Sequence, residues 1–273
     1  MSMQTEKILF TDLDGTLLDE KKQISIKNRV AIELALSSGH KIVIATGRPL
    51  SSAKILAREL SLNRQGCYII ASNGAVLYDC YQKKILFQKG VPLKYVRPLF
   101  NRAYRENLHV HTYSETNILS ERDTKEIRWY EKTIRVPALI VEDVTKALTF
   151  DPVKVLLIHL ESKQRLIDFQ RKHSGWCKGK FESIFSCDSM LEYCPVSTSK
   201  GDAVIRLCNL LQIPIENSIS AGDAENDISM IQAAGTGCVM CNGSKETKDY
   251  ADYITRQDNN HDGVAEIIEE FMF

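Results

Sequence analysis

Four short polar clusters in this sequence bring together side chains that bind metals and phosphates: Asp12-Leu13-Asp14-Gly15-Thr16, Thr46-Gly47-Arg48, Ser199-Lys200-Gly201 and Gly222-Asp223-Ala224-Glu225-Asn226-Asp227. Oxygen-only carboxylate ligands suit a hard cation such as Mg²⁺. A lysine and backbone amides at helix starts suit a phosphate. Taken one at a time, Asp14-Gly15 is also an ordinary turn and Asp223 an ordinary helix cap. Their joint occurrence, in order along one chain, is what points to chemistry.

Each cluster follows an apolar strand or opens a helix. Ile8 to Leu13 reads as a buried strand running into the Asp-Gly turn, and Ser25 caps a helix through Arg29 to Leu36 that stops before Gly39. Lys41 to Ala45 and Tyr68 to Ala71 read as further buried strands. Pro49 suits the first turn of a helix that continues from Ser51 to Leu60. This β-α-β-α-β order with near-continuous apolar strands predicts a parallel sheet covered on both faces. In such sheets the carboxyl ends of the strands converge on one crevice, where residues distant in sequence meet.

Val76 to Phe87 then reads as a hairpin, and from Lys89 to Ser189 the pattern turns α+β. A helix carries Leu93, Val96, Phe100 and Ala103 in phase, and alternating segments run from His109 to Leu119. A helical stretch from Thr124 to Ile134 leads through a polar loop to the strand Val153 to Leu160, a helix around Leu166 to Gln170, and short strands at Phe181–Phe185 and Met190–Tyr193. The α/β regime resumes with a helix from Lys200 to Leu211, strands at Ser218–Gly222 and Gly237–Met240, a helix from Asp227 to Ala234, a short strand at Tyr253–Thr255 and a final helix from Val264 to Phe271. The expected fold class is α/β: a Rossmann-like parallel-sheet core interrupted by an inserted α+β cap domain of about 100 residues. The core is expected over 1–88 and 190–273, and the insert over 89–189.

Within the insert, His109 and His111 alternate, so they share one face of a strand, either an exposed sheet face or a cap surface turned to substrate. Trp129 and Tyr130 read as packing residues. Arg97, Arg102 and Arg105 lie on one helix, but their spacing spreads them around it.

Composition closes other routes. Thirty-five basic and 35 acidic residues cancel, leaving no electrostatic footprint for nucleic acid or an anionic membrane surface. No run approaches the roughly 20 apolar residues of a membrane helix. MSMQTEKILF lacks the basic and apolar regions of a signal peptide. Eight scattered cysteines, several inside apolar runs, read as reduced and buried, so a cytoplasmic location is expected; Asn242-Gly243-Ser244 is then an idle glycosylation match.

The four clusters, in this order, resemble the haloacid dehalogenase superfamily, and the hairpin after Asn73-Gly74-Ala75 with the late insertion is similar to its Cof-like sugar-phosphatase branch. The resemblance implies a Mg²⁺-dependent phosphatase acting on a small phosphorylated metabolite through an aspartyl-phosphate intermediate; a phosphosugar mutase and a silent phospho-metabolite sensor are the alternatives. It implies Asp12 as nucleophile and Asp14 as general acid and then base. Mg²⁺ would be held by the Asp12 carboxylate, the Asp14 backbone carbonyl and Asp223. Thr46 and the Gly47 amide would hold phosphoryl oxygens, and Lys200 would neutralise the nucleophile and the transferring group. Asn226 would contact phosphate or hold the loop. Asp227 would orient Lys200 or the metal's waters from outside the coordination shell.

Overall fold

A computed structural model describes residues 5–273. The strands, in chain order, are β1 (Ile8–Thr11), β2 (Lys41–Ala45), β3 (Cys67–Ala71), β4 (Val76–Asp79), β5 (Lys84–Gln88), β6 (His109–Tyr113), β7 (Ile118–Ser120), β8 (Ala138–Ile140), β9 (Val155–Ile158), β10 (Glu182–Cys187), β11 (Met190–Cys194), β12 (Ser218–Gly222), β13 (Thr236–Val239) and β14 (Tyr253–Ile254). The chain divides into two compact units: 5–47, 53–87 and 199–273 form the first, 48–52 and 88–198 the second.

The first unit is built on an eight-stranded sheet of order β14-β13-β12-β1-β2-β3-β4-β5. Its strands from β14 to β3 are parallel, and β4 returns antiparallel to β3. Every residue of β1, β3 and β12 is buried, which is why they read as unbroken apolar runs rather than alternating ones. The helix Lys200–Leu211 covers one face: Ala203, Val204, Leu207 and Cys208 pack on Ile8, Phe10, Val43 and Ile70. From β1 the chain moves outward through β2 and β3, whereas β12 to β14 step outward on the other side. The β1/β12 pair is therefore the point where the strand order reverses, and the carboxyl end of such a point is where open α/β sheets bind ligands. Thr11 pairs with Ala221, so Asp12 and Asp223 both emerge at that point.

The second unit holds a six-stranded sheet of order β10-β11-β9-β6-β7-β8 with a core on each face. Alternation along β9 decides which residue meets which core. Val155 and Leu157 pack with Val96, Leu99 and Phe100 of the helix Leu93–Arg105 and with Leu166 and Phe169 of the helix Lys163–Cys177. Leu156 and Ile158 face Ile127, Tyr130 and Ile134 of the helix Lys125–Ile134.

Several expectations need correction. Met190–Cys194 pairs antiparallel with both β9 and β10, so the return to the first unit falls at 198/199 and not at 189/190. The polar loop after Ile134 holds the short strand β8, parallel to β7, and the helix Val144–Ala147; three exposed or half-exposed residues leave no periodic signal. The helix expected from Asp227 starts at Ile228, after a single 3₁₀ turn at Glu225–Asp227. His109 and His111 do share a face, but it is not an exposed one, since both are buried. Thr124 Oγ1 lies 2.9 Å from His109 Nδ1, His109 Nε2 3.0 Å from His111 Nδ1, His111 Nε2 3.1 Å from the Tyr113 hydroxyl, and that hydroxyl 2.7 Å from the Tyr130 hydroxyl. No helix among the described residues is long and apolar enough to cross a membrane.

Candidate active site

Asp12 follows the last residue of β1, and its amide donates to the Ala221 carbonyl at 2.9 Å, which extends the β1/β12 pairing by one step. The chain then turns sharply: the Leu17 amide donates back to the Asp12 carbonyl and the Leu18 amide to that of Leu13. Gly15 makes this turn at φ +88°, and a Cβ there would sit 2.5 Å from Asp223 Oδ2. Thr16 Oγ1 donates to Asp223 Oδ1 at 2.7 Å, tying the first cluster to the fourth.

Lys200 opens its helix behind Ser199, whose hydroxyl accepts from the Asp202 amide. The Lys200 side chain is fully buried, with Nζ 2.6 Å from Asp12 Oδ1 and 2.6 Å from Asp227 Oδ1. The other Asp227 oxygen accepts from the amides of Asp223 and Ala224 at 3.0 and 3.1 Å. Both Asp227 oxygens are thus engaged in holding a lysine and a loop. Carboxylate oxygens of Asp12, Asp223 and Asp227 lie within 4.8 Å of one another.

Burial is the largest influence on Asp12 and pushes its carboxyl well above the usual range; Lys200 opposes this, and the nearby carboxylates of Asp227, Asp223 and Asp14 reinforce it. Burial and Asp227 push Asp223 up to about 6, against the Thr16 hydrogen bond and Lys200. Burial disfavours the charge on Lys200, but Asp12 and Asp227 outweigh it and hold the ammonium above its ordinary value. Three carboxylates with one ammonium leave negative charge uncompensated. A divalent cation among these oxygens would offset it, so the donor set fits such an ion.

Residues 9–268 match the family described as haloacid dehalogenase-like hydrolase. The chain belongs to that family. A protein named putative phosphatase YxeH from Bacillus subtilis is 29% identical over 97% of this chain and 98% of its own length. Another from the same organism, named 5-amino-6-(5-phospho-D-ribitylamino)uracil phosphatase YcsE, is 28% identical over 100% of both. The crystal structure of a haloacid dehalogenase-like hydrolase from Bacteroides thetaiotaomicron superposes with a TM-score of 0.89 at 30% identity, covering 97% of this chain and 99% of that one. This haloacid dehalogenase-like protein is an enzyme, a hydrolase of the phosphatase type. Phosphatases of the family generally use a divalent metal, and the acidic cluster suits one.

Of the expected site residues, Asp12, Lys200, Asp223 and Asp227 come together directly. Asn226 is buried on the same loop, its amide nitrogen 3.3 Å from Asn73 Oδ1. Thr46 is buried at the end of β2, its amide donating to the Ile70 carbonyl at 2.8 Å. The Asp14 side chain stands apart from the three clustered carboxylates: it is part-exposed and accepts from Lys22 Nζ at 2.7 Å. Glu225 is exposed.

The sequence pattern gives no sign of Lys22, marks Asn73 only as part of the Asn-Gly before a hairpin, and marks Asn242 only as a glycosylation match. Asn242 Nδ2 donates to the Gly15 carbonyl at 2.8 Å, and its Oδ1 accepts from the Asn259 amide. The signal available for it was position, just past the end of β13, rather than the glycosylation pattern it happens to match.

Proposed function

We propose that this enzyme is a Mg²⁺-dependent, cytoplasmic phosphatase that hydrolyses small phosphomonoesters, sugar phosphates or similar metabolites, through an aspartyl phosphate on Asp12. The observation that carries the reading is the position of Lys200 Nζ, 2.6 Å from both Asp12 and Asp227 at the carboxyl end of the β1/β12 switch point. Phosphate-monoester hydrolysis is among the slowest uncatalysed reactions, so charge neutralisation must be extensive. Asp12, the Asp14 carbonyl and Asp223 would hold Mg²⁺, which would supply positive charge to the phosphoryl oxygens.

In the first step an Asp12 oxygen forms a bond to phosphorus as the bond to the ester oxygen breaks. That oxygen leaves with a proton from the Asp14 carboxyl. In the second, Asp14 takes a proton from water, the water oxygen attacks phosphorus, and inorganic phosphate leaves Asp12 free. Lys200 neutralises the nucleophile and the transferring group, and Asp227 holds Lys200 in place. Thr46, Gly47 and Asn226 would hold phosphoryl oxygens. The insert, 88–198, would act as the cap that reads the leaving group. The full-length relative named for a phosphorylated ribitylamino compound supports the metabolite class, and eight free cysteines suit a reducing compartment.

The mutase alternative needs cationic residues in the insert for a second phosphate. Arg97 is instead held by Glu121 and Asp143, and the Arg102 guanidinium lies 3.7 Å from the Trp176 ring centre. The test of the phosphatase reading is turnover of p-nitrophenyl phosphate with Mg²⁺, after EDTA, and after Mg²⁺ is restored, followed by a panel of phosphorylated metabolites. Activity should vanish with EDTA and return with Mg²⁺, and Asp223→Ala should need far more of it. Activity that survives EDTA sinks the metal assignment. If no metabolite exceeds the aryl ester in kcat/KM, the substrate class is wrong.

A further inference from the structure

The tripeptide after β3 lies in the left-handed backbone region throughout: Ser72 at φ 51°, Asn73 at φ 53° and Gly74 at φ 96°. Residues other than glycine visit that region at a cost and normally one at a time, asparagine more readily than serine. All three residues are buried, and the Ser72 hydroxyl makes no hydrogen bond. Strain of this kind persists only where the surroundings over-determine it, and it concentrates at functional sites.

The surroundings here are three of the four polar clusters. The Asn73 amide donates to the Thr46 carbonyl at 3.2 Å. A Cβ on Gly47 would lie 3.1 Å from Asn73 Oδ1, so that oxygen sits against the Thr46-Gly47 backbone. The same oxygen accepts from Asn226 Nδ2 at 3.3 Å. Gly74 presses on the residue before Lys200, where a Cβ would be 2.0 Å from the Ser199 carbonyl oxygen. A glycine at position 73 would adopt this backbone at lower cost than asparagine. Its side-chain contacts, rather than the turn, therefore account for the asparagine.

We propose that Asn73 is a positioning residue of the phosphoryl site. It fixes the amide of Asn226 and the Thr46-Gly47 backbone relative to each other, so that both meet the same phosphoryl group. An amide nitrogen carries two N–H groups; Asn73 takes one from Asn226 and sets the direction of the other. The inference rests on the proposed function, because it assumes that Asn226 and the Thr46-Gly47 loop hold phosphate.

The experiment uses the full chain with Mg²⁺ and inorganic phosphate as the probe. Asn73→Gly keeps the backbone and deletes the amide, so its melting temperature should match or exceed the wild type. Its kcat on p-nitrophenyl phosphate should fall by about tenfold or more, and inhibition by inorganic phosphate should weaken by about the same factor. Asn226→Ala should show similar losses, and the double variant should be little worse than the weaker single one, as residues acting through one contact require. Values for Asn73→Gly within about twofold of wild type, or losses that multiply in the double variant, overturn the proposal. Should Asn73→Gly not fold, Asn73→Asp tolerates the same backbone and keeps an acceptor for Asn226. It puts a negative charge beside the loops, so it should weaken inorganic phosphate strongly, and unchanged inhibition overturns the proposal. A wild type that neither turns over esters nor is inhibited by inorganic phosphate sinks the functional reading. An active wild type matched by Asn73→Gly sinks this inference alone.

Discussion

In the unit that carries Asp12, three carboxylates gather around one ammonium, that of Lys200. In the other unit, Lys154 and Glu192 form a salt bridge of 2.7 Å with both side chains buried. Beside them, burial keeps His109 and His111 below the ordinary histidine range. Both regions take ionisable groups out of water, where an uncompensated charge is expensive. The second pairs these buried charges or keeps the groups neutral, as a structural core does. The first leaves an excess of one sign, which burdens the fold and is of use only to a ligand of the opposite sign. Imbalance, rather than burial, separates the site from the scaffold.

The strongest way to break this comparison is to remove one carboxylate from each region without changing shape. Asp12→Asn should lower turnover on the order of 10⁴-fold or more, since the nucleophile is gone. Its stability to denaturant should hold or rise, because one like charge has left the cluster. Unimpaired turnover by the folded variant removes Asp12 from the chemistry. Glu192→Gln should do the reverse. It removes the carboxylate facing a buried ammonium, at a cost of about 3–5 kcal/mol, measured by denaturant unfolding, while the part that stays folded still turns over p-nitrophenyl phosphate. An unchanged midpoint would mean that Lys154 is compensated by other groups.

The pH dependence of stability sharpens the contrast. Burial holds His109 at about 4, against an unfolded value near 6.5. The unfolded chain therefore binds more protons between those values, and stability falls as pH drops from about 6.5 to 4. At pH 5 this amounts to about 2 kcal/mol for His109; His111, which burial, His109 and Lys154 all push down, adds in the same direction. In EDTA, Asp223 runs the other way, because a folded value of about 6 relieves its burden as pH falls. Hydrogen exchange at pH 7 and pH 5 should show β9 losing protection more than β12. His109→Gln should flatten the loss in β9, and an unaltered slope would mean that His109 titrates as if exposed.

The sequence carried the two regions unequally. β1, β2, β3 and β12 were legible because strands buried on both faces read as unbroken apolar runs, each ending in a polar cluster. That Asp12, Lys200, Asp223 and Asp227 meet followed from strand ends converging. The shared face of His109 and His111 was legible from alternation. Its burial was not, because the helix Lys125–Ile134 covers that face and no local pattern reports the covering. The boundary at 198/199 was hidden because Met190–Cys194 finds its partner β9 some thirty residues back. Asn73 was visible only as a strand-ending Asn-Gly, since its partners Thr46 and Asn226 are brought to it by the fold.

The smallest effect concerns a charge pair at the site that is partly exposed. Lys22 Nζ lies 2.7 Å from Asp14 Oδ1, with the side chains 54% and 37% exposed. An exposed pair of this kind contributes about 0–1 kcal/mol and is screened by salt. If Lys22 only helps to hold the Asp14 carboxyl, Lys22→Met should change kcat by less than about fivefold, and the difference should fade toward 1 M salt. The loss should be larger for an alkyl phosphate than for p-nitrophenyl phosphate, because a poor leaving group depends more on the proton that Asp14 donates. Lys22→Arg, which keeps the charge, should restore most of the rate. A salt-independent loss of tenfold or more on both esters would place Lys22 on the phosphoryl group itself. The contrast between buried excess charge and exposed paired charge would then fail at a residue bonded to the proposed acid.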